Sequence, residues 1–159
     1  MPAGEQPYSA VAEVGGIRMG LVTGGGRLLR LHFLVEDVER DPADRAAERA
    51  LQQLMRYMDD PEWRFDLPLG AAVTDFQGKV RGALCAIPAG TTRTYGSLAR
   101  RLRTAPRAVG VACRLNPLPI VVPCHRVVTA HGLGGYVGSA RPDAWLAIKR
   151  RLLTHEGAL

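Results

Sequence analysis

A cysteine, a histidine and an arginine follow one another at Cys124, His125 and Arg126, directly after Pro123 and the apolar run of residues 120–122. The apolar run predicts a buried strand that leads into this segment. A buried structural cysteine rarely stands between a proline and two basic side chains. Cationic neighbours favour the thiolate over the thiol, and the thiolate is the nucleophilic form. The segment therefore predicts that Cys124 is a reactive cysteine.

The composition fits a cysteine-dependent protein without a metal or another cofactor. The chain has 159 residues, of which 47% are hydrophobic, so one domain or one domain with a small appendage can form a packed core. The three cysteines are odd in number and contain no CxxC pair, and the four histidines are scattered. This pattern argues against a disulfide scaffold and a zinc site. An activated thiol also favours a reduced intracellular compartment.

Charge and hydropathy patterning predict a cytoplasmic protein rather than a membrane protein. The N-terminal residues have no basic and apolar leader pattern, and no segment approaches eighteen consecutive apolar residues. The net charge is +6, and lysine occurs only at Lys79 and Lys149. This arginine-rich charge fits a polyanionic partner such as nucleic acid, but it also fits a GC-biased genome. Charge alone leaves both interpretations open.

The first 70 residues predict a small structural domain of strands and one helix. Alternating apolar residues and glycine turns at 15–16 and 24–26 indicate three strands within residues 8–35. Helical spacing begins at Asp44 and ends at residues 59–61, with an apolar face that includes Ala47, Leu54 and Met55. Residues 63–69 predict one more strand, which Pro68 breaks.

Residues 71–159 predict a mostly helical second domain. Thr74 or Asp75 begins one helix, and a final helix is predicted from Asp143 to about Glu156. Between them lie two short helices, one beginning near residue 94 and the other at Pro106, with Thr104 or Ala105 as the N-cap of the second. Their tight connection indicates a helix-turn-helix. The fold class is therefore α+β.

The second of these short helices carries small side chains, among them Ala108 and Gly110. Helices that read the major groove of DNA usually present long polar side chains. A small-residue helix would instead let its backbone approach another surface closely, such as a minor groove contacted with little sequence preference. The alternative is a helix that packs tightly against a neighbour within the protein.

Taken together, these motifs resemble the O6-alkylguanine-DNA alkyltransferase family (methylated-DNA–protein-cysteine methyltransferases). The similarity is strong from about residue 75 to residue 157 and faint over residues 1–70. The matching motifs lie at residues 94–96, 98–99, 107–110, 116–117, 119–120, 122–128, 135–136 and 155–157. The resemblance implies a ribonuclease-H-like N-terminal domain (1–70) and a C-terminal domain for DNA binding and alkyl transfer (71–159).

The resemblance implies a single-turnover DNA-repair enzyme. An alkyl group would pass from O6 of guanine in double-stranded DNA, or from O4 of thymine, to Cys124 after the nucleotide leaves the base stack. His125 would act as the base, through a water, and Glu156 would orient His125. Asn116 would brace the helix-turn-helix against the cysteine segment. The thioether product would not be hydrolysed, so each monomer would act once.

The resemblance also assigns DNA and pocket contacts. Arg107 would enter the base stack, with Ala108 and Gly110 at the DNA surface. Tyr95 would rotate the phosphate backbone and donate a proton to the leaving guanine. The pocket would be lined by Tyr136, Val127, Val137 and Pro119, and the backbone carbonyls of Cys124 and Val127 would accept from the exocyclic amine.

Several positions depart from the family pattern. Val137 stands where many relatives have serine or glycine, so a hydroxyl contact to O6 would be lost while the backbone N–H remains. Val111 replaces a small residue of the second short helix.

The sequence leaves two other functions open. A non-catalytic damage-recognition relative would keep the arginine but lack the cysteine, so Cys124 argues against it. A cysteine hydrolase would need direct proton transfer between adjacent residues on one strand, which is awkward, and no oxyanion loop is evident.

Overall fold

The computed structural model describes residues 8–36, 38–135 and 142–159 and divides the chain into two compact units, the first ending at Gly70 and the second beginning at Ala71. The architecture is α+β, as the sequence predicted. Within the described residues, no helix is both long and apolar enough to cross a bilayer.

The first unit is an antiparallel three-stranded sheet with one helix. Its strands are β1 (Ala10–Val14), β2 (Ile17–Gly24) and β3 (Arg27–Phe33), paired in chain order. Both hairpin turns use two glycines with positive φ, at 15–16 and 25–26, because tight two-residue hairpins require a left-handed backbone there. The predicted meander is correct. Its comparison with a ribonuclease-H-like domain stays a prediction.

Helix α1 (Arg45–Asp59) begins where the sequence predicted, since Asp44 caps it by accepting from the backbone N–H of Ala47 at 2.8 Å. Ala47 and Leu54 are buried as expected, but Met55 is 54% exposed. The inward face instead continues through Ala50 and Tyr57.

The predicted strand at residues 63–69 is wrong. Only Leu69 forms an isolated bridge, to Leu28. The backbone of Asp66 is hydrogen-bonded to the Gln53 side chain, whose amide donates to the Asp66 carbonyl at 2.9 Å and accepts from its N–H at 2.8 Å. Side-chain bonds from α1 thus replace a ladder, and Pro68 has no N–H to offer one.

The second unit contains four helices and a two-stranded parallel pairing among its described residues. The helices are α2 (Asp75–Cys85), α3 (Tyr95–Leu102), α4 (Pro106–Arg114) and α5 (Pro142–His155). The strands β4 (Arg93–Thr94) and β5 (Val127–Val128) pair directly, which the sequence did not predict. This pairing places the start of α3 beside the segment that follows Cys124.

The helix boundaries follow the capping residues. Thr74 accepts from the N–H of Gln77 at the start of α2, and Thr94 accepts from the N–H of Ser97 at the start of α3. Ala105 is the N-cap of α4, with Pro106 at its first position, and makes no side-chain cap bond. Arg103, the C-cap of α3, has the left-handed backbone (φ 57°) that ends this helix before α4.

Candidate active site

Cys124 begins a one-turn 3-10 helix (Cys124–Arg126) inside a segment in which residues 118–125 are all buried. The predicted strand at 120–122 is wrong, because this segment is a series of turns. Ile120 has φ 73°, which is rare and strained for a β-branched residue. The N–H of Cys124 donates to the Val122 carbonyl at 2.8 Å. The backbone therefore enters the 3-10 turn from a sharp, buried bend.

Asn116, directly after α4, fixes that bend. Its side-chain amide donates to the Val122 carbonyl at 2.9 Å, and its side-chain oxygen accepts from the N–H of Leu118 at 3.0 Å. The Asn116 side chain also hydrogen-bonds the Cys124 thiol. One buried amide thus joins the end of α4 to both the bend and the cysteine.

His125 and Glu156 form a buried pair. The Nε2 atom of His125 lies 2.8 Å from Oε2 of Glu156, and both side chains are fully buried. Because a carboxylate can only accept, Nε2 carries the proton and Nδ1 carries the lone pair. Nδ1 is buried and has no hydrogen-bond partner among the described residues. Burial lowers the pKa of His125 despite the opposing effect of Glu156, so the ring is neutral at pH 7.

Arg126 holds the other side of Glu156. Its Nε donates to Oε1 and its terminal nitrogen to Oε2, both at 2.9 Å, while its second terminal nitrogen donates to the Ile87 carbonyl beyond α2. Such a bidentate pair is among the stronger hydrogen-bonded arrangements in proteins. Arg126 is therefore committed to Glu156 and orients the carboxylate that His125 contacts.

The Cys124 thiol is not ionised at rest, which corrects the expectation from its basic neighbours. Burial raises its pKa to about 11, against the opposing effects of the Asn116 hydrogen bond and the charge of Lys149. His125 is neutral and Arg126 is paired with Glu156, so neither neighbour in sequence supplies a free positive charge. Deprotonation of Cys124 therefore needs a base.

Tyr95 is the first residue of α3, positioned by the Thr94 cap. Burial, followed by the nearby Cys113 and Cys124, raises its pKa. A Cβ at Gly135 would collide with the Tyr95 hydroxyl, so this glycine, at φ 50°, permits the loop to approach the ring. Tyr95 keeps its proton across the physiological range.

A pocket of about 450 Å³ opens between α3, α4 and the loop after β5. Its lining comprises Tyr95, Pro106, Arg107, Gly110, Val111, Arg114, Thr129 and Gly135. Arg107 is exposed at the second position of α4, and a Cβ added to Gly110 would meet nothing within 4 Å. The small residue at 110 therefore faces open space rather than a packed neighbour. The packing alternative does not hold for Gly110.

The other site residues predicted from the sequence are either absent from the pocket lining or outside the described residues. Ala108 is half-buried on α4, and Val127 and Pro119 are buried near Cys124 rather than among the residues lining the pocket. Tyr136 and Val137 lie outside the described residues. No group of three metal-ligating side chains occurs in the described part of the chain.

Lys149 is a buried residue of this region to which the sequence analysis assigns no role. It is 1% exposed, and its Nζ donates to the Val127 carbonyl at 2.7 Å and to the Gly134 carbonyl at 3.2 Å. A signal was available in the sequence. Lys149 follows Trp145 by four residues and precedes Leu152 by three, so helical spacing puts it on the apolar face of α5.

Comparison with known proteins identifies the family. The sequence model described as "6-O-methylguanine DNA methyltransferase, DNA binding domain" matches residues 75–158. The methylated-DNA–protein-cysteine methyltransferase of Methanocaldococcus jannaschii is 36% identical over 131 residues, which are 74% of this chain and 78% of that protein. The corresponding protein of Mycolicibacterium paratuberculosis is 44% identical over 111 residues, 67% of each chain.

Solved structures agree. The structure of Mycobacterium tuberculosis OGT in complex with DNA has a TM-score of 0.78 and 35% identity, covering 93% of this chain and 91% of that one. An O6-methylguanine DNA methyltransferase from Methanococcus jannaschii has a TM-score of 0.66 and 30% identity, covering 94% and 93%. The family predicted from the motifs is confirmed, and this chain belongs to the O6-alkylguanine-DNA alkyltransferase (methylated-DNA–protein-cysteine methyltransferase) family.

Proposed function

We propose that this protein, a DNA-repair enzyme that transfers an alkyl group to cysteine, uses Cys124 as the acceptor for a methyl or larger alkyl group from O6 of guanine, once per molecule. The observation that carries this assignment is the buried thiol preceding the His125–Glu156 pair, whose Nε2–carboxylate bond leaves Nδ1 with its lone pair. The other two cysteines fit this role less well. Cys85 is exposed, and burial raises the pKa of Cys113 to about 12, above that of Cys124.

The transfer is a displacement at carbon. Sγ of Cys124 attacks the alkyl carbon, an S–C bond forms, and the C–O6 bond breaks with its electron pair remaining on the guanine. The thiol proton passes to Nδ1 of His125, through a water, and Glu156 stabilises the imidazolium that results. The Tyr95 hydroxyl protonates the departing guanine on a ring nitrogen. The thioether is not hydrolysed, so the protein is consumed.

The damaged base must leave the duplex to reach the buried thiol. The pocket between α3, α4 and the loop after β5 is bordered by Tyr95 and Arg107, and Gly110 leaves the face of α4 open. We assign Arg107 to the space that the flipped nucleotide vacates, and α3 and α4 to a helix-turn-helix that contacts the minor groove. Ala108 allows close approach of the same helix.

The remaining parts of the proposal concern scope. The substrate is double-stranded DNA with O6-alkylguanine, with O4-alkylthymine as a second substrate to test. We assign Val127 and Pro119, which are buried, to the base-binding site together with Tyr95, and the family resemblance adds Tyr136 and Val137. The protein acts as a monomer in the cytoplasm, where a reducing environment keeps the free Cys124 thiol usable.

A titration of damaged DNA tests the function. A duplex with one O6-methylguanine is mixed with increasing amounts of protein, and the remaining O6-methylguanine is counted at the end point. We expect one lesion removed per protein molecule, with no further removal over time. Continued removal by substoichiometric protein would contradict the single-turnover mechanism. Tight binding without removal would instead mark a damage sensor.

A further inference from the structure

Lys149 lies where packing alone would favour an apolar residue. It is 1% exposed on the inward face of α5, alongside Trp145, Leu152 and Leu153. A buried ammonium loses its hydration, which costs free energy that hydrogen bonds and nearby negative charge must offset. The mechanism described above assigns nothing to this side chain.

The ammonium group joins three separate segments of the second unit. It donates to the carbonyl of Val127 on β5 at 2.7 Å, to the carbonyl of Gly134 in the following loop at 3.2 Å, and to the hydroxyl of Tyr95 on α3 at a longer 3.5 Å. An ammonium has three N–H donors, so these contacts use all of them. Lys149 thereby holds β5 and the loop that follows it close to the Tyr95 ring.

The contact with Tyr95 also sets the direction of its hydroxyl. Because Lys149 can only donate, the Tyr95 oxygen must accept, and the hydroxyl hydrogen is left to point elsewhere. In the proposed function that hydrogen is the one delivered to the departing guanine. The carbonyl of Val127 keeps a second lone pair for the exocyclic amine of the base.

At rest, none of the three hydrogen-bond partners of Lys149 among the described residues carries a negative charge. Around Cys124, by contrast, Arg126 is paired with Glu156 and His125 is neutral. A thiolate at Cys124 would supply the missing negative charge, and the electrostatic interaction of Lys149 with Cys124 already lowers the pKa of that thiol.

We propose that Lys149 is a positioning residue for alkyl transfer, whose ammonium orients Tyr95 and the Val127 carbonyl and provides the positive charge that balances the Cys124 thiolate as it forms. The inference rests on the proposed function of Cys124 and Tyr95.

Lys149→Met tests the proposal, with Lys79→Met as the matched control, because Lys79 is the other lysine of the chain and is exposed. Two quantities are measured. One is the single-turnover rate on duplex DNA with O6-methylguanine. The other is the pKa of Cys124, taken from the pH dependence of its reaction with iodoacetamide and followed on the Cys124 peptide.

We expect Lys149→Met to slow transfer roughly tenfold or more and to raise the thiol pKa, since one pKa unit is a tenfold change in ionisation. Lys79→Met should change neither.

The pH dependence of the wild-type rate provides a readout that a purely structural role would not move. Burial lowers the pKa of Lys149 to about 8. The titratable groups facing it are Tyr95, Cys113, Cys124 and His125; the first three have raised pKa values and His125 a lowered one, so none of them titrates near pH 8. Transfer to benzylguanine, a free base, should therefore slow as pH rises through about 8. Lys149→Met should lack this decline.

The outcomes separate the two proposals. A wild-type protein that never receives the alkyl group refutes the proposed function, while the iodoacetamide titration still reports on Lys149. A folded Lys149→Met variant with an unchanged Cys124 pKa and an unchanged decline near pH 8 refutes the role of Lys149. If that variant does not fold, the wild-type protein labelled with ¹³C-lysine gives two side-chain signals, assigned with Lys79→Met. The Lys149 signal must then titrate with the midpoint of the rate decline, and a different midpoint overturns the proposal.

Discussion

Glu156 connects the two side chains that follow Cys124, His125 and Arg126. Arg126 binds both of its oxygens, and His125 donates to one of them, so the carboxylate fixes the tautomer of the histidine while the arginine fixes the carboxylate. All three groups are largely removed from water. A buried ion pair of this kind is weak support for stability in itself, but removing one partner leaves an uncompensated charge.

Glu156→Gln should therefore reduce both activity and stability. The amide cannot balance Arg126 or stabilise a protonated His125. We expect the single-turnover rate to fall by about 10²-fold, the lower end of the contribution of a positioned general base. We expect the free energy of unfolding to fall by about 3 kcal/mol, as for other broken buried pairs. Rapid-quench kinetics and denaturant unfolding measure the two effects.

The exposed Glu62, which lies outside the helices, provides the matched control for that substitution. Glu62→Gln should change neither the rate nor the unfolding free energy by more than the error of the measurements. A Glu156→Gln protein that transfers methyl groups at the wild-type rate would show that His125 does not depend on this carboxylate.

For individual side chains, the sequence predicts which of them meet but not their charge states. His125, Glu156 and Asn116 carry motif signals and lie at the cysteine segment. The thiol pKa was predicted in the wrong direction because adjacency in sequence says nothing of burial, nor of Arg126 being committed to a residue 30 positions away. Lys149 was missed because a lysine on an apolar helix face reads as a surface charge until its partners are seen.

Helix α4 begins without a side-chain cap. Ala105 has the extended backbone of an N-cap, with φ −92° and ψ 149°, but no oxygen to accept from the first turn. Ala105→Ser should raise the free energy of unfolding by about 1 kcal/mol by supplying that acceptor. Thr74→Ala, which removes the existing cap of α2, should lower it by a similar amount. An Ala105→Ser variant no more stable than wild type would contradict this explanation of the α4 terminus.

The position of Arg107 on α4 makes a separate prediction about DNA. Its side chain is exposed and borders the pocket. This position is consistent with the proposed role, in which Arg107 fills the space left by the flipped nucleotide. Arg107→Ala should slow repair of duplex DNA roughly tenfold or more, because unstacking a base costs a few kcal/mol. Its reaction with benzylguanine should be unaffected.

Arg150→Ala, which removes an exposed arginine from α5, controls for the loss of one positive charge. It should weaken DNA binding less than Arg107→Ala and leave the duplex rate near wild type. Equal losses of the Arg107→Ala protein on duplex and on free base would contradict the assigned role.

The sequence predicts the ends of helices and strands correctly where capping residues and glycines mark them. It predicts strands wrongly where side-chain hydrogen bonds take the place of backbone pairing between strands. Asp44, Thr74 and Pro106 marked helix starts correctly. The two predicted strands that failed are bonded through amide side chains, Gln53 at Asp66 and Asn116 at Val122. An apolar run reports burial, and distant side chains decide whether its backbone pairs with another strand.

For the whole molecule, each unit contains a histidine whose pKa burial lowers, His32 in the first unit and His125 in the second. Above the ordinary pKa of 6.5, both are neutral whether folded or unfolded, so they do not make stability depend on pH. Below pH 6.5, the two histidines bind protons in the unfolded chain but stay neutral in the folded chain, because their folded pKa values are lower. Stability therefore decreases as pH falls, by up to about 1.4 kcal/mol per pH unit for the fully buried His125 and by less for the half-buried His32, where solvent screens the effect.

Denaturant unfolding at pH 7.5, 6.5 and 5.5 measures this effect. We expect little change between the first two values and a clear loss at the third. His32→Gln should remove the share of the loss that belongs to the first unit. Equal or higher stability at pH 5.5 would contradict neutral, buried histidines in the folded protein.

The mass of the protein after reaction with duplex DNA containing O6-methylguanine shows directly whether Cys124 accepts the methyl group. We expect a single methyl increment, located by peptide mapping on Cys124, with none on Cys85 or Cys113. Cys124→Ser should bind the DNA and gain no methyl group, while Cys85→Ser should react as wild type. A methyl group found on another residue, or none at all with DNA binding intact, would contradict Cys124 as the acceptor.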